Sequence, residues 1–119
     1  MILVTGATGL TGHFVVQELQ QRNQAGRVLV REESQAKAPP NTEIALGDLG
    51  DLASLQRAMV GVTGVVHSAC TFTDSRIDIA AMQALLEHWQ AGPFIFISSL
   101  DVYGFAKTLP IREEHPLDE

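Results

Sequence analysis

An α/β fold, with five strands in one parallel sheet and helices on both of its faces, is the architecture this sequence predicts. Three observations carry the prediction. The apolar run 2–4 leads into a glycine-rich turn and then into a stretch with helical spacing. Short, mostly apolar runs recur at 28–30, 42–46, 65–70 and 94–97, as expected of strands covered on both faces. Between these runs lie segments whose apolar residues stand three and four apart, so strands alternate with helices. Alternation of this kind makes βαβ units and a parallel sheet in three layers.

The first strand is Ile2-Leu3-Val4, and the turn after it is Thr5-Gly6-Ala7-Thr8-Gly9-Leu10-Thr11-Gly12. Gly6 permits a tight turn, Gly9 allows close approach to a pyrophosphate, and Gly12 allows the helix to pack against the strand. The N–H groups and partial positive charge at the start of that helix make a diphosphate the expected guest. Val15, Val16 and Leu19 share one helix face, with Gln17, Glu18, Gln20 and Gln21 turned away. The helix is expected to stop between Asn23 and Gly26, with Gly26 as its C-terminal break. The run 28–30 is the second strand. An acidic residue at its end would bind the adenosine ribose and favour NAD, whereas arginine accepts a 2′-phosphate. Arg31, with Ser34 close by, points to NADP as the preferred cofactor over NAD. The plainer alternative is a surface arginine paired with Glu32 or Glu33.

The run 42–46 is the third strand, and Asp51 is expected to cap a helix carrying Leu52, Leu55 and Met59. The fourth strand, 65–70, turns to small residues at its carboxyl end, where ligands of open α/β sheets lie. His67 within it is read as a packed, hydrogen-bonded residue rather than a base. Ile79, Met82, Leu86 and Trp89 mark the expected core stripe of the last helix. Gly92-Pro93 ends it, and the run 94–97 is the fifth strand.

The chain has 119 residues, enough for one domain, and 45% of them are hydrophobic. A formal charge of −6 repels a phosphate backbone, so nucleic acid is not an expected partner. The single cysteine, Cys70, suits a reducing compartment. With no signal peptide and no apolar stretch of spanning length, a cytoplasmic protein away from membranes is expected.

The Thr-Gly-Ala-Thr-Gly-x-x-Gly turn resembles that of the extended short-chain dehydrogenase/reductase superfamily, the nucleotide-sugar epimerases, dehydratases and their relatives. Ser98-Ser99-Leu100-Asp101-Val102-Tyr103-Gly104 is similar to the segment that ends the fifth strand in that family. The resemblance implies a Rossmann-like sheet and NAD(P) binding by Gly6, Thr8, Gly9, Leu10, Thr11 and Gly12. It further implies that Asp48, followed by Leu49, meets the adenine amino group, and that Ala69 lies near the nicotinamide ribose. The alternative for Asp48 is a turn aspartate serving its own backbone. Cys70 stands where the family has a second alanine, and Asp78 where it usually has an asparagine.

By the same resemblance Ser99 is the catalytic serine that hydrogen-bonds a substrate carbonyl or hydroxyl, the alternative being a serine that caps its own turn. Tyr103 and Lys107 have the spacing of the family's acid/base pair, but Gly104 between them and Pro110 beyond do not sustain a shared helix. The expected tyrosine therefore lies past Glu119. The resemblance covers residues 1–119 as a dinucleotide-binding domain incomplete at its C-terminus, truncated before the last strands and the substrate lobe. The function it implies is hydride exchange between a nicotinamide and a small-molecule carbonyl or hydroxyl substrate. A non-catalytic NADP-binding module and an inactive fragment are the alternatives. A sheet ending at the fifth strand leaves an apolar edge open to self-association.

Overall fold

The computed structural model describes residues 1–99, 112–114 and 116–117. Along the chain run β1 (Ile2–Thr5), α1 (Leu10–Gln21), β2 (Gly26–Val30), a 3₁₀ helix (Glu32–Lys37), β3 (Glu43–Leu46), α2 (Leu52–Ala58), β4 (Gly64–His67), α3 (Ser75–His88) and β5 (Phe94–Phe96). The five strands form one parallel sheet in the order β3-β2-β1-β4-β5. The chain moves outward from β1 through β2 to β3, then returns to the other side of β1 for β4 and β5. Its direction of travel reverses between β1 and β4, and a parallel sheet opens a crevice at the carboxyl ends of such a pair.

Alternate side chains of the central strands feed two separate cores, as the two-residue period of a strand requires. Leu3, Leu29 and Val65 pack with Leu55, Ala58 and Met59 at α2 and Ala81, Ala84 and Leu85 of α3. Val4, Val28 and Val30 point the other way and pack with Ala7 and with Val16 of α1. This is the expected three-layer, Rossmann-like α/β fold. Among the described residues no helix is long and apolar enough to cross a membrane.

Several local expectations change. Gly26 does not end α1; it is the first residue of β2. Asn23 takes the left-handed conformation instead, with φ of 55°. Its N–H reaches the Gln20 carbonyl at 3.0 Å and that of Gln24 reaches Leu19 at 2.9 Å, closing the helix as a Schellman motif. The fourth strand ends at His67, and Ser68, Ala69 and Cys70 belong to the loop above the sheet. The buried stripe of α3 is Ala81, Ala84 and Leu85, whereas Ile79, Leu86 and Trp89 are exposed. Small alanines let α3 lie close to α2, with Leu85 as the large side chain of the buried stripe and Met82 half-buried beside it.

Asp51 caps α2 as expected, its carboxylate accepting from the Ser54 N–H at 3.3 Å. Asp74 does the same for α3, accepting from Arg76 at 3.0 Å. At the open edge, Ile95 and Phe96 of β5 and Ile97 after it are exposed.

Candidate functional site

The cleft of this fold begins where β1 ends. Gly6 turns the chain with φ of +73°, and a β-carbon there would stand 2.7 Å from Ser68 Oγ and 2.9 Å from the Ala69 nitrogen. Its carbonyl accepts from the Gly9 N–H at 3.0 Å. Gly12, inside the first turn of α1, would place a β-carbon 2.0 Å from the Gly6 oxygen. Only glycine allows helix and turn to lie so close. Gly9 stands before the helix in extended conformation, without a side-chain cap, and the first turn of α1 holds no acidic residue. The amides that open α1 thus face the cleft with their partial positive charge uncompensated, which suits an anion.

One cleft of about 730 Å³ runs across the carboxyl ends of the strands. Gly6, Thr8, Gly9, Leu10, Thr11, Gly12, Arg31, Asp48, Leu49 and Ala69 all line it, so the structure brings every cofactor candidate together. Arg31 is exposed at the end of β2, with Nε 3.7 Å from Glu33 Oε1, and the half-buried Ser34 lines the same end. Asp48 uses Oδ1 to accept from the Gly50 N–H at 2.9 Å, the turn role given above as the alternative. Its backbone is held by Ser54, whose Oγ accepts from the Asp48 N–H at 3.1 Å. Ser99 is exposed and does not line this cleft. Tyr103 and Lys107 lie outside the described residues.

The cleft floor rests on a buried network that joins β1 to β4. Thr5 Oγ1 accepts from the N–H groups of Ser68 at 3.0 Å and Ala69 at 3.1 Å. The same oxygen lies 2.7 Å from Nδ1 of His67. Ser68 Oγ donates back to the Thr5 carbonyl at 2.6 Å. His67 is 3% exposed, so it is the packed, hydrogen-bonded residue expected. Burial lowers its pKa below the ordinary 6.5, against the Asp78 carboxylate, which raises it.

A second set of contacts holds the loop after β4. The Asp78 carboxylate accepts from the Thr71 N–H at 2.8 Å and from its hydroxyl at 2.9 Å. Thr71 Oγ1 in turn accepts from the Asp74 N–H at 2.9 Å. Between them Phe72 has φ of 63° and is 92% exposed, and it lines the cleft with Thr71 and Thr73. Thr5, Thr71 and Phe72 were not candidates from sequence. Thr5 could have been noticed, since it directly precedes Gly6, but Thr71 and Phe72 carry no local pattern that places them at a cleft.

A sequence family described as NAD(P)H-binding matches residues 6–116. Quinone oxidoreductase 2 of Escherichia coli is 38% identical over 66 residues, which cover 52% of this chain and 23% of that protein. Its crystal structure with NADPH superposes with a TM-score of 0.61, covering 74% of this chain and 32% of that one. A short-chain dehydrogenase/reductase superfamily protein of Agrobacterium tumefaciens, solved with NAD, is 28% identical with a TM-score of 0.71, covering 99% of this chain and 39% of that one. UDP-glucose 4-epimerase of Thermotoga maritima reaches a TM-score of 0.86 at 24% identity, covering 98% and 44%, a likeness of fold alone. The matched stretches span 14–25% of the length of the curated relatives. With its glycine turn after β1, its sheet order and this match over nearly its whole length, the chain belongs to the NAD(P)H-binding family, within the short-chain dehydrogenase/reductase superfamily.

Proposed function

We propose that residues 1–119 form the dinucleotide-binding part of an NADP(H)-dependent reductase whose hydride acceptor is a conjugated carbonyl compound of quinone type. The observation that carries the proposal is the convergence of the uncapped start of α1, Arg31 and Ala69 on one cleft. In this reading the amides at the start of α1 hold the pyrophosphate. Arg31, paired only loosely with Glu33, turns its guanidinium to the 2′-phosphate, and Ser34 adds a donor beside it. Asp48 keeps Oδ1 on its own turn and offers Oδ2 to the adenine amino group, with Leu49 against the ring. The small Ala69 leaves room for the nicotinamide ribose. The cofactor supplies the hydride from its nicotinamide ring. Ser99 has no role in this reading, since it does not line the cleft, and the proton comes from a donor outside the described residues. Similarity to a quinone oxidoreductase favours a reductase, since the likeness to an epimerase extends to the fold alone.

Thermal unfolding with NADPH, with NADH and with neither tests the proposal. A ligand at about a hundred times its dissociation constant adds roughly 2.7 kcal/mol of stability. NADPH is expected to stabilise more than NADH, Arg31→Asp to reverse that order, and Gly9→Val to abolish both effects. Equal or absent shifts for the two nucleotides in the unaltered chain would sink the cofactor assignment.

A further inference from the structure

Phe72 packs its ring against almost nothing in the fold that carries it. It is 92% exposed, so its ring buries almost no surface in the fold. It also sits at φ of 63°, a conformation that disfavours bulky side chains and suits glycine or asparagine. Nevertheless the loop is fixed on both sides of it. Thr71 places its N–H and its hydroxyl on the carboxylate of Asp78, inside α3, and Asp74 caps the same helix. A strained, water-exposed aromatic ring is therefore presented at a set place, where it lines the cleft beyond Ala69. Strain kept at such a place points to a role in binding.

The position within the cleft decides what the ring meets. Arg31 and Asp48 stand at the carboxyl ends of β2 and β3, and the start of α1 faces the middle. Phe72 follows β4, at the opposite end from the adenosine candidates. That end takes the nicotinamide and the molecule that reacts with it. A phenyl ring offers no hydrogen bond. It favours flat π-surfaces, which it meets in offset-stacked or edge-on arrangements.

We propose that Phe72 is a specificity-determining platform on which the planar conjugated ring of the hydride acceptor stacks. The inference rests on the reductase reading above and adds the residue that chooses the substrate class. It predicts that ring binding follows the side chain at position 72 while dinucleotide binding does not.

The test is equilibrium binding of menadione, a naphthoquinone, and of NADPH, each alone and together, to the 119-residue chain and to Phe72→Trp, Phe72→Leu and Phe72→Gly. Menadione should bind the unaltered chain and Phe72→Trp alike, and bind the leucine and glycine variants about three- to tenfold more weakly, the range an aromatic pair supports. NADPH affinity should be the same in all four proteins. Phe72→Gly should also unfold at a higher temperature than the unaltered chain, because it relieves the left-handed backbone. The proposal is overturned if menadione does not bind, if leucine binds it as well as phenylalanine, or if NADPH affinity falls in step with menadione affinity. A Phe72→Gly protein that unfolds at a lower temperature would equally overturn it, by showing that the ring supports the fold. If NADPH does not bind but menadione still follows position 72, the dinucleotide reading fails and the platform stands.

Discussion

Thr5 has one hydroxyl proton and two lone pairs, and the structure uses all three. The N–H groups of Ser68 and Ala69 occupy the lone pairs, so the proton goes to Nδ1 of His67. Nδ1 must then accept, which puts the imidazole proton on Nε2 and leaves the ring neutral. Burial works in the same direction, holding the pKa below its ordinary value. A histidine with a lowered folded pKa binds more protons when unfolded. Its contribution to stability is full above pH 6.5 and is lost as the pH falls through the unfolded and then the folded value. Denaturant unfolding between pH 7.5 and 5.5 should therefore show stability falling with pH, and His67→Leu should show a shallower fall. A slope unchanged by the substitution would exclude this ring as the source. Thr5→Val should cost about 1–3 kcal/mol, because it removes the acceptor of two part-buried N–H donors, and chemical denaturation would read the loss. His67 was legible as a packed residue from its place in a strand. Its tautomer was not, since it depends on Thr5, 62 residues away.

At the level of elements, close backbone approach sets the sharpest constraints. Gly12→Ala puts a β-carbon into the Gly6 carbonyl and has no flexible side chain to displace. A loss of about 2–3 kcal/mol is expected, the upper part of the overpacking range, together with loss of any stabilisation by NADPH. Arg27 joins β2 to the end of α2. It is mostly buried, its Nε is 2.9 Å from Glu43, and its Nη1 donates to the carbonyls of Ala58 at 2.7 Å and Val60 at 2.6 Å. Those carbonyls have no further turn of helix to serve them. Arg27→Met should cost about 1–3 kcal/mol by leaving them unpartnered, read as a lower denaturation midpoint. The helix α3 shows where periodicity stops being informative. Apolar residues stand on two of its stripes, and hydrophobicity favours the one with Ile79, Leu86 and Trp89. Packing chose Ala81, Ala84 and Leu85, because α3 lies close against α2 and these residues join the core beneath both helices. Ala81→Leu should accordingly destabilise by about 1–3 kcal/mol, while Ile79→Ser should stay within about 0.5 kcal/mol. The reverse order of losses would restore the stripe that the sequence suggested.

Across the whole molecule, the sheet order places the reversal between β1 and β4, and the cleft opens above it. Its cofactor candidates come from segments near residues 6–12, 31, 48–49 and 69; the glycine turn and Arg31 are legible from local pattern, whereas Asp48, Leu49 and Ala69 rest on the family resemblance. Among the described residues β5 is the last strand of the sheet on its side, and its Ile95 and Phe96 are exposed. Alternation of strands and helices, the glycine turn, the end of β2 at Arg31 and the cap at Asp51 were determined by the sequence alone, because each depends on backbone geometry or spacing within a few residues. Which face of α3 is buried, where the fourth strand ends, how Asp48 spends one of its oxygens, and which proton His67 keeps were decided only by tertiary structure. So was the placing of Phe72, which depends on Asp78 holding Thr71 from the neighbouring helix. Local rules state what a residue can do, but its partners, its burial and therefore its charge and direction arise only when distant segments are packed together.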